Sequence, residues 1–268
     1  MNPKLPKSNK MFSYYPPHRD LSPYIAYYSI QHRFYPTIAP LFIPDLGGSI
    51  IVSHYQNELD IRVWGPFSQL TPMENRPYAA LARYFIEFQP GGLSRLVYPN
   101  SNEVLNRKVA LQEVDRNAYR SLRQLFEKHI HFEDDLISSL DHYFLGLLDQ
   151  REDAFANGRH ILNLMQEFGV NGSADQLSNS VHYSTRHINR YLNALTGISS
   201  KGYIRIKRCN KAVEMLKKSN CSIEQIAFKL GYYDAAHFVH DFAKLSGVSP
   251  TLYRKNKSGF YNEALKRL

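Results

Sequence analysis

Two stretches of this chain nearly repeat each other: SADQLSNSVHYSTRHINRYLNALTGISSKGY at 173–203 and SIEQIAFKLGYYDAAHFVHDFAKLSGVSPTLY at 222–253. Ser173–Leu177 parallels Ser222–Ile226 at an offset of 49 residues. From His187 onward the offset is 50, matching Leu192 with Phe242, Leu195 with Leu245, Gly197 with Gly247, Ser199 with Ser249 and Tyr203 with Tyr253. One internal turn is therefore a residue longer. Each unit opens on S-x-x-Q, a capping box in which Ser and Gln satisfy orphan N–H groups of a helix start. The first helix ends at Val181 in one unit and at Leu230, before Gly231, in the other. A second helix follows, with an apolar stripe of Ile188, Leu192 and Leu195 in unit one and Phe238, Phe242 and Leu245 in unit two. The small residues Ser178 and Ala227 fall where the two helices of a unit must approach closely. Short helix, tight turn, second helix and Gly stop is the helix-turn-helix outline.

Charge separates a DNA reader from a helical repeat that binds only protein. Residues 1–157 carry 16 Lys and Arg against 17 Asp and Glu, a net of −1. Residues 158–268 carry 17 against 7, a net of +10, so the whole excess of the +9 chain lies with the repeat. A basic domain joined to a near-neutral one fits a polyanion reader attached to another module, although basic surfaces also serve solubility. Between the units, Lys201–Lys218 reads as a connecting helix about 27 Å long at 1.5 Å per residue. Its stripe of Ile204, Ala212 and Leu216 covers one side, leaving its cations for solvent or phosphate.

The first half reads as β. Tyr24–Phe34, Gly48–Tyr55, Leu59–Trp64 and Ala80–Phe88 are rich in β-branched and aromatic residues and are punctuated by Pro and Gly. A small barrel or sandwich is expected. Asp115 is a candidate N-cap for a helix carrying Tyr119, Leu122, Leu125, Phe126 and Ile130 on one face; a second stripe holds Ile137, Leu140, Phe144, Leu147 and Leu148. This hairpin fits dimerisation and packing on the β domain equally. The expected class is α+β: a mainly β, sensor-like domain at 1–114, amphipathic helices at 115–150, a linker at 151–158, an all-α double helix-turn-helix domain at 159–256 and a tail at 257–268.

Residues 160–256 resemble the DNA-binding domain of the AraC/XylS family of bacterial transcription regulators. The resemblance rests on Ser184-Thr185-Arg186-His187-Ile188-Asn189-Arg190, on the helix Tyr203–Lys218, and on Gly231-Tyr232-Tyr233-Asp234, His237-Phe238, Phe242, Gly247-Val248-Ser249-Pro250 and Tyr253-Arg254. Ser200 stands where the family usually has proline, and His240 where it usually has arginine. The N-terminal half is similar, more weakly, to an uncharacterised β domain that precedes this reader in some regulators; Tyr15-Pro16-Pro17, Leu21, Pro23-Tyr24-Ile25, Pro44-Asp45 and Phe88-Gln89-Pro90-Gly91-Gly92 carry that likeness. It implies no defined ligand. What the resemblance implies is a cytoplasmic, nucleoid-associated regulator that binds double-stranded DNA and works with RNA polymerase.

A recognition helix puts its N-terminal half into the major groove. In unit one the side chains off the buried stripe are Thr185, Arg186, Asn189 and Arg190. Arg pairs with guanine O6 and N7, Asn with adenine N6 and N7. In unit two the corresponding residues are Ala235, Ala236, Val239 and His240, of which three donate no hydrogen bond. Readout is therefore expected to be lopsided. Phosphate contacts are expected from Ser184, Lys201, Arg205, Lys207, Arg208, Lys211, Lys244 and Arg254.

In the β domain, His54, Arg62, Trp64, Arg83 and Glu87 are candidates to line a pocket for a small-molecule effector. A homodimer is compatible with the helical hairpin. A metal-dependent enzyme is disfavoured because the one H-x-H, His129 and His131, falls at a helix end where i and i+2 point apart. A DNA-repair alkyl transferase needs an activated Cys outside the reader, and Cys209 and Cys221 both lie inside it. No cofactor or metal is expected. No apolar run follows the basic start and none reaches the length of a membrane span, so neither a signal peptide nor membrane insertion is expected.

Overall fold

The computed structural model describes residues 8, 12–32, 41–42, 44–56, 58–72, 80–97, 101–150, 156–167, 176, 178–179, 183–218 and 220–255. Among them the first half forms strands β1 (Phe12–Tyr15), β2 (Ile25–Gln31), β3 (Leu41–Phe42), β4 (Ser49–His54), β5 (Leu59–Trp64), β6 (Thr71–Pro72), β7 (Ala82–Phe88) and β8 (Lys108–Ala110). Six of these make one antiparallel sheet in the order β1-β2-β7-β4-β5-β8, and β3 pairs with β6 apart from it. β2, β4, β5 and β7 lie within the four segments expected from composition. β1 and β8 have no counterpart there, since three or four residues are too few for a period to show.

Alternation is weak in β4 and β7 because both faces of the sheet are covered. One face sends Ile25, Tyr28, Ile30, Ile50, Val52, Ile61, Val63, Tyr84, Ile86 and Phe88 into a core completed by the helices α4 (Arg116–His129) and α5 (Glu133–Gln150). Those helices contribute Ala118, Leu122, Phe126, Leu136, Leu140 and Phe144, and Ile130 joins them from the turn between. Asp115 caps α4, accepting from the N–H groups of Asn117 and Ala118 at 2.9 Å each. The apolar stripes of the hairpin are thus spent on the sheet. The other face holds a separate cluster of Phe12, Tyr14, Tyr27, Ile51, Trp64, Phe67 and Phe85.

Three short helices, α1 (Gly92–Leu96), α2 (Ser101–Val104) and α3 (Leu111–Val114), lead into the hairpin. Helix α6 (Ala156–Glu167) begins inside the segment expected to be a linker. The C-terminal part continues with α7 (Thr185–Thr196), α8 (Ser200–Lys218), α9 (Ile223–Lys229), α10 (Ala235–Ser246) and α11 (Pro250–Lys255). Of the first helix expected in unit one, Gln176, Ser178 and Asn179 are described and are helical; its Ser173 cap and its end at Val181 lie outside the described residues. Helices α6 to α11 share one core, in which Ile188, Leu192, Leu195, Phe238, Phe242 and Leu245 are all buried.

Helix α8 runs through that core and is covered on more than the one side its stripe required. Tyr203, Ile206, Lys207, Cys209, Asn210 and Val213 are buried together with Ile204, Ala212 and Leu216. Gly197 and Gly247 end α7 and α10 with φ of 76° and 74°, the left-handed turn that glycine adopts without strain. The β domain touches both of these ends. Ser94 Oγ donates to the Leu195 carbonyl at 3.1 Å, and the Leu70 N–H donates to the Leu245 carbonyl at 3.0 Å.

Candidate nucleic-acid interface

In unit one Ser184 caps α7, its hydroxyl accepting from the His187 N–H at 3.4 Å. With Ile188, Leu192 and Leu195 turned into the core, Arg186 and Arg190 stand exposed one turn apart. Thr185 is partly buried. The Arg190 guanidinium carbon lies 5.4 Å from the Tyr191 ring centroid, a cation–π contact that steadies the side chain. Asn189 is partly buried and engaged: its Oδ1 accepts from the Ser200 N–H at 2.8 Å and from the Ser200 hydroxyl at 2.9 Å. An amide oxygen has two lone pairs, so the acceptor that a bidentate adenine pair needs is already used.

Unit two is built the same way on different side chains. The Ser222–Gln225 capping box is complete, with Gln225 N–H donating to Ser222 Oγ at 3.2 Å and Ser222 N–H donating to Gln225 Oε1 at 2.9 Å. Asp234 caps α10 through the His237 N–H at 2.7 Å. Ala236 and His240 are exposed, while Ala235 and Val239 are partly buried against the core. Two exposed aromatic residues beside this helix were not among the expected contacts: Phe228 is 84% and Tyr233 95% exposed. The repeat carried the signal for the first of them, because Phe228 occupies the place of Asn179 in unit one.

The expected phosphate contacts divide into two groups. Ser184, Lys201, Lys211 and Lys244 are exposed, with Lys211 Nζ 2.9 Å from Glu214 Oε2. Arg208 is partly buried, its guanidinium carbon 5.4 Å from the Tyr232 ring centroid. The other three are turned inward. Lys207 is 5% exposed and donates to the Met165 carbonyl at 2.9 Å. Burial pushes its ammonium down to about 8. Arg254 donates to the Cys221 carbonyl at 2.7 Å. Arg205 holds Asp241 of α10 through Nε at 2.8 Å and through a second N–H, and Tyr232 donates to the other carboxylate oxygen at 2.9 Å. Burial alone would raise the Asp241 carboxyl; the bonds from Arg205 and Tyr232 outweigh it and leave the group below its ordinary value. A charge count cannot distinguish a cation aimed at phosphate from one that finds a carbonyl or carboxylate within the fold.

Of the expected effector residues, Arg62, Trp64, Arg83 and Glu87 sit on the sheet face away from α4 and α5. Register pairs Ser49 with both Trp64 and Glu87, and Ser53 with Arg83. Arg83 and Glu87 are buried, and Ser49 Oγ donates to Glu87 Oε2 at 2.5 Å. Arg62 pairs with Asp60 at 2.9 Å. Ser29, Gln31 and Ser53, buried on the same face, were missed. His54 falls out of the set: strand alternation turns it to the opposite face, where its ring centroid is 6.3 Å from that of His131. Desolvation first, and then the neighbouring imidazole, lower its pKa.

Comparison with known proteins meets this part of the chain. The profile of a family described as a helix-turn-helix domain matches residues 177–256. The transcriptional activator AarP of Providencia stuartii is 30% identical over 93 residues, which are 35% of this chain and 68% of AarP. The activator RhaS of Escherichia coli is 32% identical over 114 residues, 42% of this chain and 36% of RhaS. The match to the uncharacterised regulator YtdP of Bacillus subtilis, 29% identical, spans 37% of this chain but only 12% of that protein. Among solved structures, ToxT of Vibrio cholerae aligns over 92% of this chain and 98% of its own at 13% identity, with a TM-score of 0.42. On its double helix-turn-helix and the relatives that share it, the chain belongs to the AraC/XylS family of transcriptional regulators.

Proposed function

We propose that this protein is a sequence-specific, DNA-binding transcription regulator, not an enzyme, and that α7 and α10 enter successive major grooves. The observation that carries this reading is the exposed pair Arg186 and Arg190 on the N-terminal half of α7, in the part of the chain that holds all the excess positive charge. Thr185 adds a hydroxyl to that face; Ala236 and His240 form the corresponding face of α10. Lys201, Lys211 and Lys244 are the cations best disposed for phosphate. RNA polymerase is the expected protein partner, in the cytoplasm at the nucleoid. Among the described residues no helix is long and apolar enough to cross a membrane.

We assign the effector site to the sheet face bearing Trp64, Arg83 and Glu87, with Arg62 at its edge. Buried charge beside aromatic rings suits a small ligand with both polar and apolar parts. A homodimer would have to use a surface other than the apolar stripes of α4 and α5, which the sheet already covers. Selection of bound sequences from a randomised duplex pool tests the core of the reading. The expected result is an asymmetric motif, with strong base preference under unit one and weak preference under unit two. Recovery of no motif would refute sequence-specific binding.

A further inference from the structure

The two units solve one problem in two ways. Helices α8 and α11 start at equivalent places, each capped by a serine: Ser199 Oγ accepts from the Gly202 N–H at 3.3 Å, and Ser249 Oγ accepts from the Leu252 N–H at 3.2 Å. The next residue is the first of its helix, where the backbone N–H has no partner within the helix. In unit two that residue is Pro250, which has no N–H, and the repeat puts Val239, partly buried against the core, at the recognition-helix position equivalent to Asn189. In unit one it is Ser200, 2% exposed, which brings a buried N–H and a buried hydroxyl. The facing position there is Asn189, whose single Oδ1 accepts from both. Val239 and Pro250 are Asn189 and Ser200 shifted by the repeat offset of 50. The polar pair and the apolar pair thus replace each other as sets.

We infer that Asn189 is a positioning residue and not a base reader. It fixes the start of α8 against α7, and Arg186 and Arg190 supply the hydrogen-bonded base readout of unit one. This rests on the proposed DNA-binding reading, and it removes adenine recognition by Asn189 from it. Two physical facts exclude bidentate adenine pairing by Asn189 in this arrangement. The carboxamide oxygen accepts two bonds already, and releasing it would strand two buried donors of Ser200.

The test is to install the pair of unit two in unit one. Three full-length variants are made: Asn189→Val, Ser200→Pro and the double substitution. Asn189→Val is expected to lower Tm by about 3–10 °C, because it leaves two buried donors unsatisfied. The double variant is expected to return to within about 2 °C of the wild type. Its base-preference profile, measured on the site selected by the wild type, is expected to match the wild-type profile at every position. Loss of an adenine preference of about tenfold or more at one position in a stably folded double variant would overturn the inference. So would a double variant no more stable than Asn189→Val, or one that fails to fold, since the two pairs would then not be interchangeable. A wild type that selects no site refutes the DNA-binding reading itself and leaves the stability comparison as the independent test of the pairing.

Discussion

In the proposed reading, Arg186 and Arg190, both exposed on α7, are the side chains that read bases in unit one. Replacing either with Ala is expected to weaken the selected site by about 1–3 kcal/mol, roughly fivefold to 150-fold, and to relax preference at one base pair. His240→Ala, on the equivalent face of unit two, is expected to change affinity by less than about threefold; fluorescence anisotropy titrations measure all three. Lys207 gives a second test at this scale. Its ammonium titrates near about 8 when folded, below the ordinary lysine value. The unfolded chain therefore binds the extra proton between about pH 8 and 10.5, and stability contributed by this residue rises with pH across that window. Lys207→Met is expected to remove the rise, a difference of up to about 3 kcal/mol between the two urea-denaturation profiles. The sequence revealed the exposed arginines because helix periodicity alone turns them outward. It did not reveal the engagements of Lys207, Arg205 and Asn189, whose partners stand 42, 36 and 11 residues away.

Helix by helix, the repeat was legible because its signals are local. Capping boxes, N-caps and Gly stops each act within a few residues, and α7 and α10 come out at 12 residues each. The surroundings of α8 were not legible, because a helix covered on several sides has no single stripe to read. Its tie to α10 through Arg205 and Asp241 shows the consequence. Asp241→Ala would leave Arg205 without its carboxylate and Tyr232 without its acceptor, and is expected to destabilise the protein by about 2–4 kcal/mol. Arg205→Ala/Asp241→Ala should recover part of that loss, which a double-mutant cycle in urea resolves. The sign with pH follows from the lowered carboxyl of Asp241. Its stabilisation is complete above the ordinary carboxylate range and is lost as pH falls through the folded value, so the acid limb should flatten in the Ala variant.

For the molecule as a whole, the basic reader and the β domain are joined where the two recognition helices end. Ser94 and Leu70 hydrogen-bond to Leu195 and Leu245, residues that the repeat makes equivalent. That docking was invisible in the sequence, since it pairs segments about a hundred or more residues apart. A β-carbon added at Gly247 would lie 2.5 Å from Leu70 Cδ2, on a backbone with φ of 74°. Gly247→Ala is therefore expected to destabilise the protein by about 1–3 kcal/mol, whereas Gly146→Ala, inside α5 with open space around the new methyl, is expected to stabilise it by about 0.5–1 kcal/mol, as thermal denaturation would show. Helix α8, 19 residues long, spans about 28 Å, while successive major grooves lie about 34 Å apart. If its length sets the spacing of the units, bound DNA bends toward the protein, and a circular-permutation gel should show the bend. Recognition of DNA itself is tested most directly by titrating the full-length protein onto the selected duplex over a range of salt. With three or four Lys and Arg on phosphate, the logarithm of the affinity should fall linearly with the logarithm of salt, with a slope of about −3 to −4. A slope near zero, or the same affinity for a scrambled duplex at every salt concentration, would contradict it.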